Sequence, residues 1–240
     1  MTAGVVIDAV LVGRAVPFGR AGAASAIAKA PAAGAVALSR TGLAGDEQGD
    51  RRHHGGPDKA VHHYPGEHYE AWRRELRPAP AVLASEVLAL EGAFGENLST
   101  RGMTEDEVCV GDVYRAGTAT LQVSQARQPC WKLNHRFGVA DMARRVQSSG
   151  RTGWYYRVIE PGRLAAGDGM TLLDRPRPGW PLARVLRAFY VDMLDRHALA
   201  GIAALPELAP SWRDLARRRL ESGRVENWGR RLGDRDPGAA

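Results

Sequence analysis

The sequence has two cysteines, Cys109 and Cys130, and no run of the roughly 18 apolar residues that a membrane span requires. Two thiols cannot form the disulfide framework of a small secreted domain, and in a reducing compartment they stay separate. The first residues also lack a basic stretch followed by an apolar one, so no secretory signal is predicted. We therefore expect a cytoplasmic protein with no membrane partner.

Motifs for common cofactors are missing as well. The chain has no GxGxxG sequence for a dinucleotide and no other flavin or nicotinamide signature, and nothing indicates pyridoxal phosphate. Neither HExxH nor paired CxxC knuckles occur, and the adjacent pairs His53–His54 and His62–His63 have the wrong spacing for zinc. An enzyme of this sequence would therefore need another redox centre or an external electron source.

Short apolar runs interrupted by glycine, proline or Gly-Asp pairs fill the first 180 residues, a pattern typical of strands. The predicted strands are Val5–Val12, Ala35–Ser39, Val108–Val110, Thr118–Ser124, Trp154–Ile159 and Met170–Leu173. Helical spacing is found at Glu67–Leu76 and at Ala140–Ser149, which ends before Gly150. This irregular mixture favours an antiparallel barrel with inserted helices over a parallel sheet.

The composition shifts to alanine, leucine and arginine after Trp180. Pro181 suits a first helical position, and Ser211 with Asp214 resembles a capping box. A helix face then follows, made of Trp212, Leu215, Ala216 and Leu220, and Gly223 can end that helix. We predict a mainly β fold with helices: a β-barrel domain over 1–180, a three-helix domain over 181–225 and a flexible tail over 226–240.

The chain is basic, with a formal charge of +6 and a pI near 9.7, which favours anionic partners. Much of the excess is close to the end, in Arg213, Arg217, Arg218, Arg219, Arg224, Arg230 and Arg231. We interpret these arginines first as a solvated helix face and second as a docking patch. The sequence has no basic stripe interleaved with aromatic residues, which argues against a nucleic-acid partner. It leaves a homodimer open.

The densest polar stretch, residues 42–69, has the composition of a functional loop and holds five histidines. We expect His62, His63 and His68 at the surface or at a half-buried helix start. Gly55 and Gly56 would let a ligand approach the backbone. These glycines follow His54, and the histidine is therefore a candidate site residue.

A second candidate segment is QVSQARQPCWKL, which runs from the Thr118 strand into Cys130. Proline ends a strand, so Cys130 is expected on the turn beyond it. Arg127 and Lys132 flank the thiol and favour the thiolate, the form that attacks or binds metal. It could be a nucleophile with a base that the sequence does not reveal, or a ligand of a soft metal. For Cys109, within Val108-Cys109-Val110, we expect an inert buried thiol.

Taken in order, the motifs GDEQGD, HGGPDKA, YP, HY, GENL, CVGDVY and VSQARQPCWKL resemble the YiiM branch of the MOSC domain family. The resemblance extends from about Val5 to Trp180, and the helical part that follows resembles the three-helix domain of that branch. One departure is Ala126, where the branch favours proline. Every polar group of the motif is nevertheless kept.

The resemblance implies a β-barrel that binds the molybdenum cofactor, a metal-carrying pterin, with Cys130 as the metal ligand. Further cofactor contacts are expected from Lys59, Asn97, Gln125, Arg127, Lys132, Gly55 and Gly56. Among them, Arg127 and Lys59 suit phosphate or pterin oxygens, whereas Asn97 and Gln125 suit the pterin edge.

The resemblance further implies reduction of small N-hydroxylated compounds, such as 6-hydroxylaminopurine, to the parent amines, a detoxifying reaction. His54 is our candidate proton carrier, because imidazole titrates near neutral pH. Electrons would come from an external donor, a flavin reductase or a ferredoxin-like protein, whose acidic surface would suit the basic chain. The alternative is a cofactor-binding or sulfur-carrying protein without redox turnover.

Overall fold

The computed structural model describes residues 4–50, 55–76 and 82–233. Its strands, in chain order, are β1 (Val5–Val12), β2 (Val16–Pro17), β3 (Ala24–Ser25), β4 (Ala30–Pro31), β5 (Val36–Ser39), β6 (Gly42–Leu43), β7 (Val61–Pro65), β8 (Leu98–Thr100), β9 (Val113–Ala116), β10 (Ala119–Ala126), β11 (Trp154–Glu160), β12 (Gly162–Leu164) and β13 (Gly169–Asp174). The helices are α1 (Glu67–Glu75), α2 (Val82–Val87), α3 (Lys132–Phe137), α4 (Met142–Ser149), α5 (Leu182–Tyr190), α6 (Arg196–Ala203), α7 (Pro210–Ser222) and α8 (Gly229–Leu232), with a 3-10 turn at Pro57–Lys59.

Seven strands form a closed barrel in the order β13-β9-β10-β11-β7-β8-β1, and β1 pairs with β13 to close it. The pairing of β7 with β8 is parallel, whereas the other pairings around the barrel are antiparallel. In β11 the residues alternate between buried and half-exposed from Trp154 to Val158, as a barrel wall requires. The predicted fold class, a mainly β barrel with helices followed by a helical C-terminal region, is confirmed.

Two apolar clusters support this arrangement. One fills the barrel and continues into the C-terminal helices, where Trp212 and Phe189 pack edge to face. The other lies outside the barrel among α1 to α4 and contains Phe94, Phe137 and Leu232. The segment that carries Cys130 runs between β10, whose buried residues belong to the first cluster, and α3, whose buried residues belong to the second. Both of its ends are therefore anchored in packed structure.

Several sequence predictions need correction. Val108–Val110 does not form a strand but a buried turn with an isolated bridge from Cys109 to Pro181, because it packs against the start of the helical region. Pro181 is the N-cap of α5 rather than its first residue. The N-cap of α7 is Ala209, with Pro210 at the first position, so Ser211 does not cap this helix. The predicted stops at Gly150 and Gly223 are confirmed, since both adopt a left-handed conformation after their helices.

The predicted flexible tail also differs from the structure over residues 226–233. This segment contains α8, and the side chain of Leu232 is buried in the outer cluster. Residues 234–240 lie outside the described part of the chain. Among the described residues, no helix combines the length and the apolar character needed to cross a membrane.

Candidate functional site

A cavity opens at one side of the barrel, where loops from distant parts of the chain meet the end of β10. Its walls include Ser25, Lys29, Asp46, Gly49, Lys59, His62, Asn97, Arg127, Cys130, Lys132 and Tyr155. The cavity volume is about 80 Å³, on a scale where one water molecule needs roughly 10–15 Å³. It can therefore hold a small group or the reactive end of a larger ligand.

Cys130 lies where the sequence places it, on the loop between β10 and α3. The residue is 8% exposed and lines the cavity. Arg127 and Lys132 line the same cavity and are themselves buried. The Lys132 ammonium donates to the carbonyl of Ala24 at 2.8 Å, which ties the cysteine loop to β3. The expected thiol in a cationic setting is thus present.

Arg127 is the most unusual cation of the cavity. Its backbone N–H donates to Gly153 at 3.0 Å and fixes the chain at the end of β10. Its Nη1 is fully buried and has no hydrogen-bond partner among the residues that the structure describes. A buried guanidinium nitrogen without an acceptor is costly, so this atom is suited to donate to an anionic or carbonyl oxygen of a ligand.

Lys59 lies at the end of the 3-10 turn and faces the same cavity. Burial lowers the pKa of its ammonium, while the negative charges of Asp58 and Asp50 act in the opposite direction. Lys59 and Cys130 both line this cavity. Lys59 can therefore stabilise negative charge next to Cys130.

The predicted role of Asn97 does not match its contacts. Its Oδ1 accepts from the backbone of His62 at 3.0 Å, and its Nδ2 donates to the carbonyl of Leu11 at 3.1 Å and to Asp46 at 2.9 Å. Both amide hydrogens are used within the protein. Asn97 thus braces the cavity wall, and its Nδ2 is not available to read the edge of a pterin.

The other predicted site residues are distributed around the cavity rather than in it. Gln125 is buried on β10 and does not belong to the described wall, although its Oε1 has no hydrogen-bond partner among the described residues. Gly56 lines a neighbouring cleft, and Gly55 belongs to neither wall as far as the structure describes them. His54 lies outside the described residues.

His62, His63 and His68 occupy buried positions, contrary to the expectation of a surface or half-buried helix start. His62 and His63 belong to β7, and His68 lies on α1 next to Glu105, with Nε2 to Oε2 at 2.7 Å. His63 is held by Tyr156 and Thr100 at 3.0 and 2.9 Å. All five residues of β7 are buried, because the strand has packed structure on both faces.

The cavity residues that sequence reasoning did not assign to the site include Lys29, His62 and Tyr155. Lys29 pairs with Asp46, and burial lowers the pKa of this lysine. Burial and the nearby Arg127 lower the pKa of His62 well below its ordinary value, so its imidazole is neutral. Burial raises the pKa of Tyr155, which keeps the phenol protonated at neutral pH.

The sequence did contain a signal for Asp46, the ion-pair partner of Lys29. Asp46 belongs to the motif GDEQGD, where Gly49 lets the loop press against β3: an added Cβ would lie 2.5 Å from the carbonyl of Ala24. Lys29, in the apolar stretch AIAKAPAAG, has no such motif. Its position depends on the ion pair with Asp46, which only the folded chain creates.

Comparison with known proteins gives consistent matches. The family model of the MOSC domain matches residues 50–171, and that of the YiiM-like 3-alpha helix domain matches residues 180–223. Protein YiiM of Escherichia coli (strain K12) is 42% identical over 213 residues, covering 88% of this chain and 91% of that protein. Its crystal structure gives a TM-score of 0.78 at 33% identity, covering 96% of this chain and 98% of the other.

A further relative carries an activity in its name. A protein of Gibberella moniliformis (strain M3125 / FGSC 7600) named Reductase is 39% identical over 199 residues. The match covers 82% of this chain but 34% of that protein, which is therefore much longer.

Proposed function

Because the chain belongs to the YiiM-like branch of the MOSC domain proteins, a family related to the molybdenum cofactor, we propose that it is a molybdenum-cofactor-dependent reductase of N-hydroxylated compounds. The proposed substrates include 6-hydroxylaminopurine and other N-hydroxylated bases, which are converted to the parent amines. One observation carries the proposal: Cys130 and Arg127 line the same cavity, and Nη1 of the Arg127 guanidinium has no hydrogen-bond partner among the described residues.

The residues of the cavity fit such a cofactor. The described residues contain no cluster of three or more His, Cys, Asp or Glu side chains that could hold a metal ion alone. A metal bound by Cys130 would thus take most of its ligands from a cofactor, and thiolate is the protein ligand that soft metals prefer. Arg127 and Lys59 would hold the anionic oxygens of the cofactor, and the unpaired Nη1 supports this role for Arg127.

The overall reaction is R–NHOH + 2 e⁻ + 2 H⁺ → R–NH₂ + H₂O. When bound, the molybdenum cofactor supplies the two-electron reduction of the N–O bond. The chain supplies binding and protons. The phenol of Tyr155, kept protonated by burial, can donate a hydrogen bond from its Oη into the cavity. His54 stays our predicted proton carrier.

Electrons would reach the cavity from outside the chain. The sequence contains no dinucleotide or flavin motif, so we propose a flavin reductase or a ferredoxin-like protein as the donor. The net charge of +6 would favour brief docking of an acidic carrier.

The test is turnover of cofactor-loaded protein with reduced methyl viologen as artificial donor and 6-hydroxylaminopurine as substrate, with the amine product measured by chromatography. We expect turnover for the wild type and for Cys109→Ala, and only background reduction for Cys130→Ala. Bound molybdenum without turnover in the wild type would contradict the reductase and support the cofactor or sulfur carrier instead.

A further inference from the structure

The loop that carries Cys130 is held on its outer side by the end of the described chain. Residues 226–233, which we name the C-terminal strap, follow the helical region and return to the barrel. The Arg231 guanidinium donates from Nη1 to the carbonyl of Pro129 at 2.6 Å. The Arg231 carbonyl accepts from the backbone N–H of Trp131 at 2.7 Å. One residue of the strap thus contacts the peptide groups on both sides of Cys130.

Further contacts fix the strap against this loop. Asn134, at the start of α3, donates from Nδ2 to the carbonyl of Leu232 at 2.8 Å. The second Arg231 nitrogen, Nη2, donates to Gln147 on α4 at 2.6 Å. Gly233 lies so close to Trp131 that an added Cβ would approach its side chain to 2.8 Å. The strap is therefore packed on the loop and is not a loose tail.

The other end of the strap is anchored in the helical region. Arg219 of α7 is buried and pairs with Glu226 through two hydrogen bonds, at 2.9 and 2.8 Å. Trp228 donates to the same carboxylate at 2.7 Å and packs edge to face on Tyr190 of α5. The strap thus connects α5 and α7 to the cysteine loop.

We propose that the C-terminal strap positions Cys130 and that Arg231 is its positioning residue. The proposal rests on the proposed function, since it assigns a purpose to the placement of the metal-binding thiol. Arg231 does not line the cavity, so it acts through the carbonyl of Pro129 and the amide of Trp131. The helical region thereby gains a role: it supplies the anchor that keeps the thiol in the cavity.

The test measures how fast iodoacetamide alkylates Cys130 in the full chain, in a Cys109→Ala background and without added cofactor. Cys130 is 8% exposed, so alkylation is slow while its loop is closed and becomes faster when the loop opens. Arg231→Ala removes a charged hydrogen bond that opposes this opening, so we expect about tenfold faster alkylation. Arg231→Lys keeps a donor for Pro129 but cannot also reach Gln147 in the same way, and it should give an intermediate rate.

The matched control is Arg230→Ala, which removes an exposed arginine next to Arg231 and should leave the rate unchanged. Equal alkylation rates for Arg231→Ala, Arg230→Ala and the Cys109→Ala parent protein would overturn the proposal. It would also be overturned if Arg231→Lys were alkylated as fast as Arg231→Ala. If Arg231→Ala does not fold, Gln147→Met carries the test, because it removes one acceptor of Arg231 and leaves the strap intact. Faster alkylation would then support the proposal, and an unchanged rate would overturn it.

This experiment needs neither metal nor turnover. A wild type that shows no molybdenum and no reduction would defeat the proposed function while the alkylation result for the strap stands. Conversely, an active enzyme whose Cys130 is insensitive to Arg231 would leave the function intact and defeat the strap.

Discussion

Two buried arginines, Arg219 in the helical region and Arg127 at the barrel cavity, show how differently the same side chain is used in this molecule. Arg219 is 2% exposed, and its nitrogens reach Glu226 and the carbonyls of Phe189 and Met193. Arg127 is 6% exposed, yet its Nη1 has no partner within the described residues. The first arrangement is complete within the protein, whereas the second leaves Nη1 as a donor for the ligand that we propose.

The two cysteines repeat this contrast. Cys109 is 3% exposed among residues that join the barrel to the helical region. Burial and the nearby Asp112 carboxylate raise the pKa of its thiol, as expected for an inert cysteine. Cys130 shares its cavity with Arg127, Lys59 and Lys132. The two cysteines are thus similarly buried but have different charged neighbours, and burial alone does not identify a functional thiol.

The largest expected effect is on stability, at Arg219. Arg219→Ala removes the partner of Glu226 and the donor to the carbonyls of Phe189 and Met193, so we expect a loss of about 3 kcal/mol in the free energy of unfolding. Urea denaturation measures this loss. The matched control is the exposed neighbour Arg218→Ala, expected within about 0.5 kcal/mol of wild type. Equal losses in both variants would show that Arg219 does not anchor the helical region.

Arg127→Met, in contrast to Arg219→Ala, should change cofactor binding more than stability. It removes an incompletely paired buried charge, so the free energy of unfolding should change by less than about 1 kcal/mol. The cofactor should nevertheless bind about tenfold more weakly, because a charged hydrogen bond is lost. Molybdenum retained per chain after dialysis at several protein concentrations measures this, with Arg219→Met as the comparison. If Arg127→Met were strongly destabilised and still retained the cofactor like the wild type, Arg127 would be a structural arginine like Arg219.

A smaller effect concerns pH. Burial alone would raise the pKa of Glu226, but hydrogen bonds from Arg219 and Trp228 lower it to about 2. A carboxyl group whose pKa is lowered on folding stabilises the protein fully at pH values above its ordinary pKa of 4.5. This stabilisation is lost as the pH falls towards 2. Because the Glu226 side chain is 37% exposed, screening reduces the contribution to about 1 kcal/mol.

Glu226→Gln is the variant that isolates this contribution. Between about pH 6 and about pH 2, the wild type should lose about 1 kcal/mol more stability than Glu226→Gln. Urea denaturation at the two pH values measures the difference. Parallel losses in the two proteins would show that the pair of Glu226 with Arg219 does not depend on its charge.

The smallest effect tests the docking patch predicted from the C-terminal arginines. Arg219 is buried and cannot take part, which leaves exposed residues such as Arg218. Arg218→Glu should raise the KM for an acidic electron donor about twofold at low salt, since rim charges steer association. Arg74→Glu, the same change on the exposed part of α1, should leave this KM unaltered. Equal KM values in both variants would place docking elsewhere.

Sequence reasoning located most barrel strands because their apolar residues alternate, as in Trp154–Ile159, which lies within β11. It missed β7 because both faces of this strand are buried, so no alternation remains. It also missed β8 and β9, which have only three and four residues. Arg219 could have been separated from Arg217 and Arg218 by helical spacing, since it lies seven residues after Trp212 on the same buried face. Lys29 could not be found, because its role depends on a long-range ion pair with Asp46.

The central claim is that the Cys130 thiolate binds a metal carried by a pterin cofactor. Its most direct test is the molybdenum and pterin content per chain of wild type, Cys130→Ala and Cys109→Ala, prepared side by side from cells that make the cofactor. We predict comparable stoichiometric molybdenum in wild type and Cys109→Ala, and a level near background in Cys130→Ala. Equal molybdenum in wild type and Cys130→Ala would contradict the assignment of Cys130 as the ligand.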